Sequence, residues 1–589
     1  MKRLFCLLLA VLMMAAVLAS CSPADDGNDE KEEDRGAIIP VYLSADISNF
    51  DPATANLDDA STKIFGLIYE GLYKYDENGK VVNAQASSLK VLDNPDKNYY
   101  AIEINLKTTY WSDGTQVQAS DYIFAWKRII QPGFRGEAAS LLFDIKNARA
   151  CNSGELSIDD LGVTDSTITT LHIEFEGPTD YDKFCEYLAS PYLVPLRENV
   201  IYKVEKDWST NPTILVTNGP FCVRTATWDS GKLSKMIIER NMYYMRNVKK
   251  DKLDKYVTPF RFYIDCSGDA AAAEAQFAAG NLAYISEFPL SKRAEYASKA
   301  EVVDTLSVMS VLFNTTKAPL DKAENRLALS KALDRTKIAE ILNFAKPAGG
   351  IIADKVFENG YSKNAKSFRE VGGNLVDAKA ASGLPKVSGS ITLAVRDTEA
   401  DKAVGEYIAE TWGALGLKVT VKEYGFKKYQ DVNEYDLIQD KYIELYESGE
   451  FDAILIDYTM FCTDAFANLA SFAKDFAGGF IDMTVPSDDY SNAPHVCGYD
   501  SEEYNAKIEE AYAEKDPAKR AAILHEAEKI LMTDMPIVPL VQLQNAFIAD
   551  TSNFKNKDKK CLNYYGFEAL SKVEVSDREK YTFGEEEQK

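Results

Sequence analysis

The residues able to do chemistry are few in this chain, and none stands at the spacing that chemistry needs. There are three histidines, His172, His495 and His525. His525-Glu526-Ala527-Glu528-Lys529 opens like a zinc-protease helix, in which two histidines one turn apart hold the ion and a glutamate between them serves as base. Lys529 occupies the place of the second histidine, so the motif fails. Ser87-Ser88-Leu89-Lys90 spells S-x-x-K, a serine nucleophile beside a lysine, but its K-T-G partner is absent. No G-x-S-x-G elbow, G-x-x-x-x-G-K phosphate loop or G-x-G-x-x-G turn occurs. Acid pairs such as Asp25-Asp26, Asp58-Asp59 and Asp488-Asp489 lack the alternation, central glycine and closing glutamate of a calcium loop. We therefore expect no catalytic residue, no metal and no cofactor. A body of this size without nucleophile, base or metal cluster points to binding rather than enzymatic turnover.

Cys21 is the cysteine whose neighbours give it a role. Met1-Lys2-Arg3 is a cationic start, Leu4 to Ala19 is a sixteen-residue apolar run, and the small residues Ala19-Ser20 precede Cys21. That is the pattern of a secretory leader, predicted over residues 1–20. Leu18-Ala19-Ser20-Cys21 resembles a bacterial lipobox, which implies that the thiol carries a diacylglycerol and anchors the mature chain on the extracytoplasmic face of the cell membrane. An uncleaved span, for which about 20 apolar residues are needed, and a freely secreted protein with Cys21 incidental are the competing readings. Residues 22–36 hold seven acids and two bases and nothing apolar larger than alanine. Such a segment cannot bury enough surface to fold, so residues 21–36 are expected to be a disordered tether. Seven cysteines remain beyond the leader and Cys21: Cys151, Cys185, Cys222, Cys266, Cys462, Cys497 and Cys561. An odd number cannot all pair within one chain, and no two are close enough for a zinc ribbon or a CxxC centre. Most are expected to be small buried residues.

The body that must position any binding site is too long for one core, and at least two folding units are expected. The chain carries 66 Lys and Arg against 91 Asp and Glu, a net charge of −25, which becomes −27 once Lys2 and Arg3 leave with the leader. A surface this acidic repels nucleic acid and anionic headgroups, so neither is an expected partner. Tyr69 to Tyr75 alternates and turns at Glu77-Asn78-Gly79 into Val81-Val82, a hairpin. Ile102, Ile104 and Leu106 predict a strand, and Ser120 is expected to cap a helix running to Pro132. Residues 70–190 thus read as α+β. Lys322 to Leu333 is helical, and Asp334 caps the helix that follows. Further on, Ile391, Leu393 and Val395 form a strand, Val404 to Leu415 a helix closed by Gly416, and Leu417, Val419 and Val421 a second strand. With the apolar strand Phe451 to Ile456, this β-α-β unit predicts an α/β second half. Asp516 and Pro517 start a last long helix.

Laid out in order, these pieces resemble the extracytoplasmic solute-binding proteins of peptide-type ABC transporters, bacterial solute-binding protein family 5. The resemblance rests on Phe50-Asp51-Pro52-Ala53, Tyr69-Glu70-Gly71-Leu72, Trp111-Ser112-Asp113-Gly114-Thr115, Phe124-Ala125-Trp126-Lys127-Arg128-Ile129 and Asn218-Gly219-Pro220-Phe221. It continues through Asn241 with Tyr244, Phe313-Asn314, Arg326-Leu327-Ala328-Leu329, Ala332-Leu333-Asp334-Arg335 and Asp534-Met535-Pro536, and covers residues 45–550. It implies an α/β, two-lobed flytrap fold with an added α+β domain on the first lobe. By that analogy lobe I combines 37–69, 191–312 and 538–589, with 70–190 as its accessory domain, and lobe II spans 313–537. Ligand would lie between the lobes, and their closure would present the loaded protein, expected to be a monomer, to a membrane permease. Turn residues such as Asn218-Gly219 identify the fold; specificity sits elsewhere.

For peptide binders of this family, the resemblance implies an aromatic residue followed three positions later by an aspartate that pairs with the peptide's α-ammonium. Tyr458 takes the aromatic position here, and Phe461 stands where the aspartate is expected. Asp457 and Asp464 flank the gap, and either is a candidate replacement. From the first lobe the same analogy brings Asn56 and Asp58, and then Ser286 and Glu287, to the cleft. The expected function is capture of short peptides for an ABC importer. Metal chelates, oligosaccharides and signalling peptides remain alternative ligands, with a receptor for a membrane sensor or a surface hydrolase as alternative functions.

Overall fold

The computed structural model of the 589-residue chain describes residues 37–45, 47–54, 59–76, 80–132, 134, 137–202, 208–229, 231–244, 259–286, 288–353, 383–430, 436–460, 462, 464–476, 494–553, 576–577 and 580. Among them no helix is long and apolar enough to cross a membrane. The leader, the tether with Cys21, the hairpin turn at 77–79 and Cys561 lie outside these residues.

The strands run in chain order from β1 (Ala37–Tyr42) through the hairpin β2 (Tyr73–Tyr75) and β3 (Val81–Asn83) to β4 (Ala86–Val91), β5 (Ala101–Leu106), β6 (Val163–Thr167) and β7 (Thr170–Glu174). Next come β8 (Phe221–Asp229), β9 (Lys232–Arg240), β10 (Pro259–Asp265), β11 (Tyr284–Ile285) and the 13-residue β12 (Glu301–Phe313). The second half holds β13 (Ala345–Pro347), β14 (Gly389–Arg396), β15 (Leu417–Tyr424), the pair β16 (Phe426–Gln430) and β17 (Asp436–Asp440), β18 (Ala453–Thr459) and the 13-residue β19 (Ile537–Ala549). Eleven of them form one mixed sheet in the order β15-β14-β18-β12-β19-β11-β1-β10-β9-β8, with β13 beside β19. The antiparallel sheet β4-β5-β7-β6 stands apart from it. The molecule is a two-lobed α/β protein in which β12 and β19 run antiparallel to each other through the middle of the large sheet, with register shifts between Asp304 and Val308 and between Met309 and Ser310.

The β-α-β unit forms as its periodicity predicts: β14 and β15 pair in parallel, joined by helix Glu399–Ala414, and Gly416 closes the helix at a φ of +102°. Strand β18 is hydrogen-bonded on both sides, to β14 and β12, which explains its near-continuous apolar run. Asp334 accepts from the N–H groups of Thr336 and Lys337, and Asp516 from those of Ala518 and Lys519, so both caps hold. The helix expected from Ser120 instead starts at Ala119. Its first turn is closed by Asp121, whose carboxylate accepts from the Gln118 N–H at 2.8 Å and from the Trp111 indole at 3.0 Å. A reciprocal acceptor inside the first turn displaces the hydroxyl cap. All six described cysteines are free thiols, five of them buried and Cys222 half-buried.

The motif residues turn out to meet one another. Arg128 grips Asp51 with two parallel bonds of 2.9 and 2.5 Å, joining helix Ala119–Ile130 to the loop after β1. Asn218 mimics a strand partner for Glu70, accepting from its N–H and donating to its carbonyl. At Gly219 a Cβ would lie 2.5 Å from the Ile68 carbonyl carbon, so no other residue fits. Arg335 is wholly buried and donates to the Pro539 and Ser330 carbonyls, tying β19 to the helices before it. Burial pushes its guanidinium down to about 10.

Candidate functional site

The wall nearest the predicted ligand contacts is the end of β18 and the turn into helix Ala465–Ala470. Alternation along the strand sends Asp457 outward and Tyr458 inward. The Tyr458 hydroxyl donates to the Asn468 carbonyl at 2.7 Å and meets Ser471 Oγ at 2.8 Å, and its ring lies against Phe472. Beyond it, Thr459 Oγ1 pairs with Ser307 Oγ at 2.7 Å, and the Met460 N–H reaches the Leu306 carbonyl at 2.9 Å, prolonging the β12 pairing.

Asp464 follows, and it is buried. One oxygen caps helix Ala465–Ala470 through the Phe466 N–H at 3.2 Å. The other accepts from the Tyr187 hydroxyl at 2.5 Å and from Arg520 Nη1 at 3.2 Å, with Lys183 Nζ 4.0 Å away. Arg520 Nη2 also donates to the Tyr187 oxygen at 3.0 Å, and its guanidinium lies 4.7 Å over the Phe466 ring. Burial alone would raise the Asp464 pKa; Lys183, Arg520 and the hydroxyl reverse this and hold it down to about 2. Lys183 and Tyr187 come from helix Tyr181–Tyr187, and Arg520 from helix Pro517–Asp534. The structure thus brings together four side chains that no local sequence pattern connects.

Beside this cluster a second set of contacts spans the same elements. Arg149 binds Glu509 through bonds of 3.2 and 2.5 Å and lies 4.5 Å over the Phe476 ring. Tyr512 donates to the Phe143 carbonyl at 2.7 Å, and Phe143, Phe466, Phe476 and Tyr512 pack ring against ring.

The remaining predicted contacts are dispersed. Ser286 is buried, its hydroxyl donating to the Tyr42 carbonyl at 3.4 Å. Asn56, Asp58, Glu287 and Phe461 lie outside the described residues. Among the described residues no group of three or more His, Cys, Asp or Glu side chains could hold a metal. One histidine–thiol contact escaped the spacing argument: His495 Nδ1 is 3.0 Å from Cys497 Sγ, under a stacked Phe472. Burial pushes His495 down to about 3 and Cys497 up to about 12, so the pair is neutral and the thiol is no nucleophile.

The description "Bacterial extracellular solute-binding proteins, family 5 Middle" matches residues 80–480. The chain is 24% identical over 575 residues to the oligopeptide-binding protein OppA of Bacillus subtilis, covering 93% of this chain and 96% of that one. It is 25% identical over 564 residues to the dipeptide-binding protein DppE of the same organism, covering 91% and 94%. The Escherichia coli murein tripeptide binding protein MppA superposes with a TM-score of 0.71 at 21% identity, over 92% of this chain and 98% of that one. The unliganded open form of MppA superposes with a TM-score of 0.55 at 22% identity, over 92% and 97%. The chain belongs to the bacterial extracellular solute-binding proteins of family 5.

Proposed function

We propose that this protein captures short peptides between its two lobes and delivers them to an ABC importer, binding without turning them over. The observation that carries the reading is the pair of crossing strands. β12 and β19 lie side by side through the large sheet and lose register between Asp304 and Val308, which supplies two adjacent strands on which the halves rock. The first lobe is assigned to 37–69, 191–312 and 538–589, with 70–190 as its accessory domain, and the second to 313–537. Peptide recognition is what the names of OppA and DppE state, and an extended peptide held through its backbone gains affinity with little side-chain selectivity. Calorimetry with mixed di- to hexapeptide pools is the test: micromolar or tighter binding by at least one pool is expected, and silence from every pool overturns the reading.

The ligand amine is held differently from the family pattern. Phe461 removes the usual carboxylate, and Asp464 is committed to Arg520, Tyr187 and its helix cap. Asp457, on the exposed side of β18, is our candidate for the carboxylate that meets the ammonium. Asp457→Asn should weaken a free-amine peptide and leave its N-acetylated form unchanged. The missing anchor also favours a second reading, a ligand with no free amine, for which acetylation changes nothing.

Cys21 is proposed to carry the lipid that keeps the protein at the extracytoplasmic face of the membrane, beside its permease. Cys21→Ala should release the protein from the membrane fraction with ligand affinity intact.

A further inference from the structure

We infer that the Lys183–Tyr187–Asp464–Arg520 cluster is a closure latch between residues 70–190 and the second lobe, setting ligand affinity through side chains that do not touch the ligand. The inference rests on the two-lobed capture reading. Two of the four residues lie on each side: Lys183 and Tyr187 on helix Tyr181–Tyr187, and Asp464 and Arg520 in the second lobe.

The chemistry of the cluster suits a contact that breaks and remakes. A buried ion pair split between two bodies leaves an uncompensated charge on each side, at a cost of several kcal/mol. Here each side keeps its own counterion. If the lobes part, Asp464 retains Arg520 at 3.2 Å and its helix cap, and Lys183 retains Glu186 at 2.7 Å. What parting removes is the Tyr187 hydroxyl, which bonds both Asp464 and Arg520, together with the weaker attraction across 4.0 Å between Lys183 and Asp464. The hydroxyl then passes into water, which satisfies it. Opening therefore costs little more than the bonds themselves.

The neighbouring contacts follow the same rule. Arg149 and Glu509 are both partly exposed where they meet, so each is solvated when they separate. The ring cluster of Phe143 against Phe466, Phe476 and Tyr512 supplies the apolar area that closure buries.

Because apparent affinity scales with the fraction of protein in the binding-competent arrangement, weakening the closed state lowers affinity without altering any ligand contact. The test uses the full chain with Lys183→Met and Tyr187→Phe combined, a change that leaves Asp464, Arg520 and the ligand wall untouched. Small-angle scattering of the ligand-free protein should show a larger radius of gyration than wild type, and peptide release followed by stopped flow should speed up by roughly tenfold. The melting temperature of the ligand-free double variant should stay within about 2 °C of wild type, since Tyr187→Phe keeps the buried ring and Lys183→Met keeps the apolar stem. Unchanged scattering together with unchanged release overturns the latch, as does a large fall in ligand-free melting temperature. If scattering shifts while wild type binds no peptide pool, the latch stands and the peptide reading fails.

Discussion

Toward the proposed first lobe, residues 70–190 are held by backbone bonds as well as by buried side chains. The Ser112 N–H donates to the Thr217 carbonyl and the Leu196 N–H to the Asp121 carbonyl, Asn218 brackets the Glu70 backbone, and Arg128 grips the buried Asp51. Toward the second lobe, every described hydrogen bond uses a side chain: Tyr187 and Arg149 on one face, and Asp464, Arg520, Glu509 and Tyr512 on the other, with Lys183 facing Asp464 across 4.0 Å. Backbone bonds and a buried carboxylate with its guanidinium tolerate almost no displacement. Side-chain pairs whose members keep a local partner tolerate complete separation. On the latch proposed above, the first contact moves with its lobe and the second opens.

The largest expected effect is at Gly219, inside the proposed first lobe and next to Asn218, which brackets the Glu70 backbone. Gly219→Ala places a Cβ 2.5 Å from the Ile68 carbonyl carbon, and should destabilise the protein by about 3 kcal/mol or more in denaturant melts, with or without ligand. Next is Arg128→Met, which leaves the buried Asp51 carboxylate without its guanidinium; a loss of about 3 kcal/mol is expected, again independent of ligand. Equal effects on ligand release from these two changes and from the latch variant would erase the distinction between the interfaces.

Acid titration should reach the opening interface. Asp464 has a folded pKa of about 2, below the ordinary carboxylate value near 3.9, so its contribution is fully present above about pH 4 and is lost as pH falls toward 2. Melting curves across that window should lose about 2 kcal/mol through this group, and Asp464→Asn should flatten that part of the profile. Asp144, raised by burial, contributes in the opposite sense. Arg149→Ala should have the smallest effect, below about 1 kcal/mol on closure, and that effect should vanish in high salt.

Much of the frame was legible because it is written locally. The change from alternation to helical spacing between Ile391 and Val421 gives the β-α-β unit, and Asp334 and Asp516 announce their helices within four residues. The motif residues were legible as a set, though not as contacts: nothing in the order of the chain says that Asp51 meets Arg128. The Asp464 cluster was legible only in Asp464 itself. Its partners lie in helices remote in sequence, and neither helix carries a pattern that marks Tyr187 or Arg520 as anything but a core aromatic and a surface base. The helix start at Ala119 was missed because Ser120 looks like a cap, whereas the acceptor already bound by Trp111 decides the turn.

The placement of β19 carries a consequence for how the chain reaches this state. Strand β11 borders β1 on one side and the end of β19 on the other, with Ile285 beside Ile548 and Tyr284 beside Ala549. A chain synthesised from its amino end leaves β11 as an open edge until nearly all of the protein has been made. The large sheet therefore cannot be completed while the chain is still growing, and final assembly waits for the carboxyl-terminal strand, an order set by topology alone.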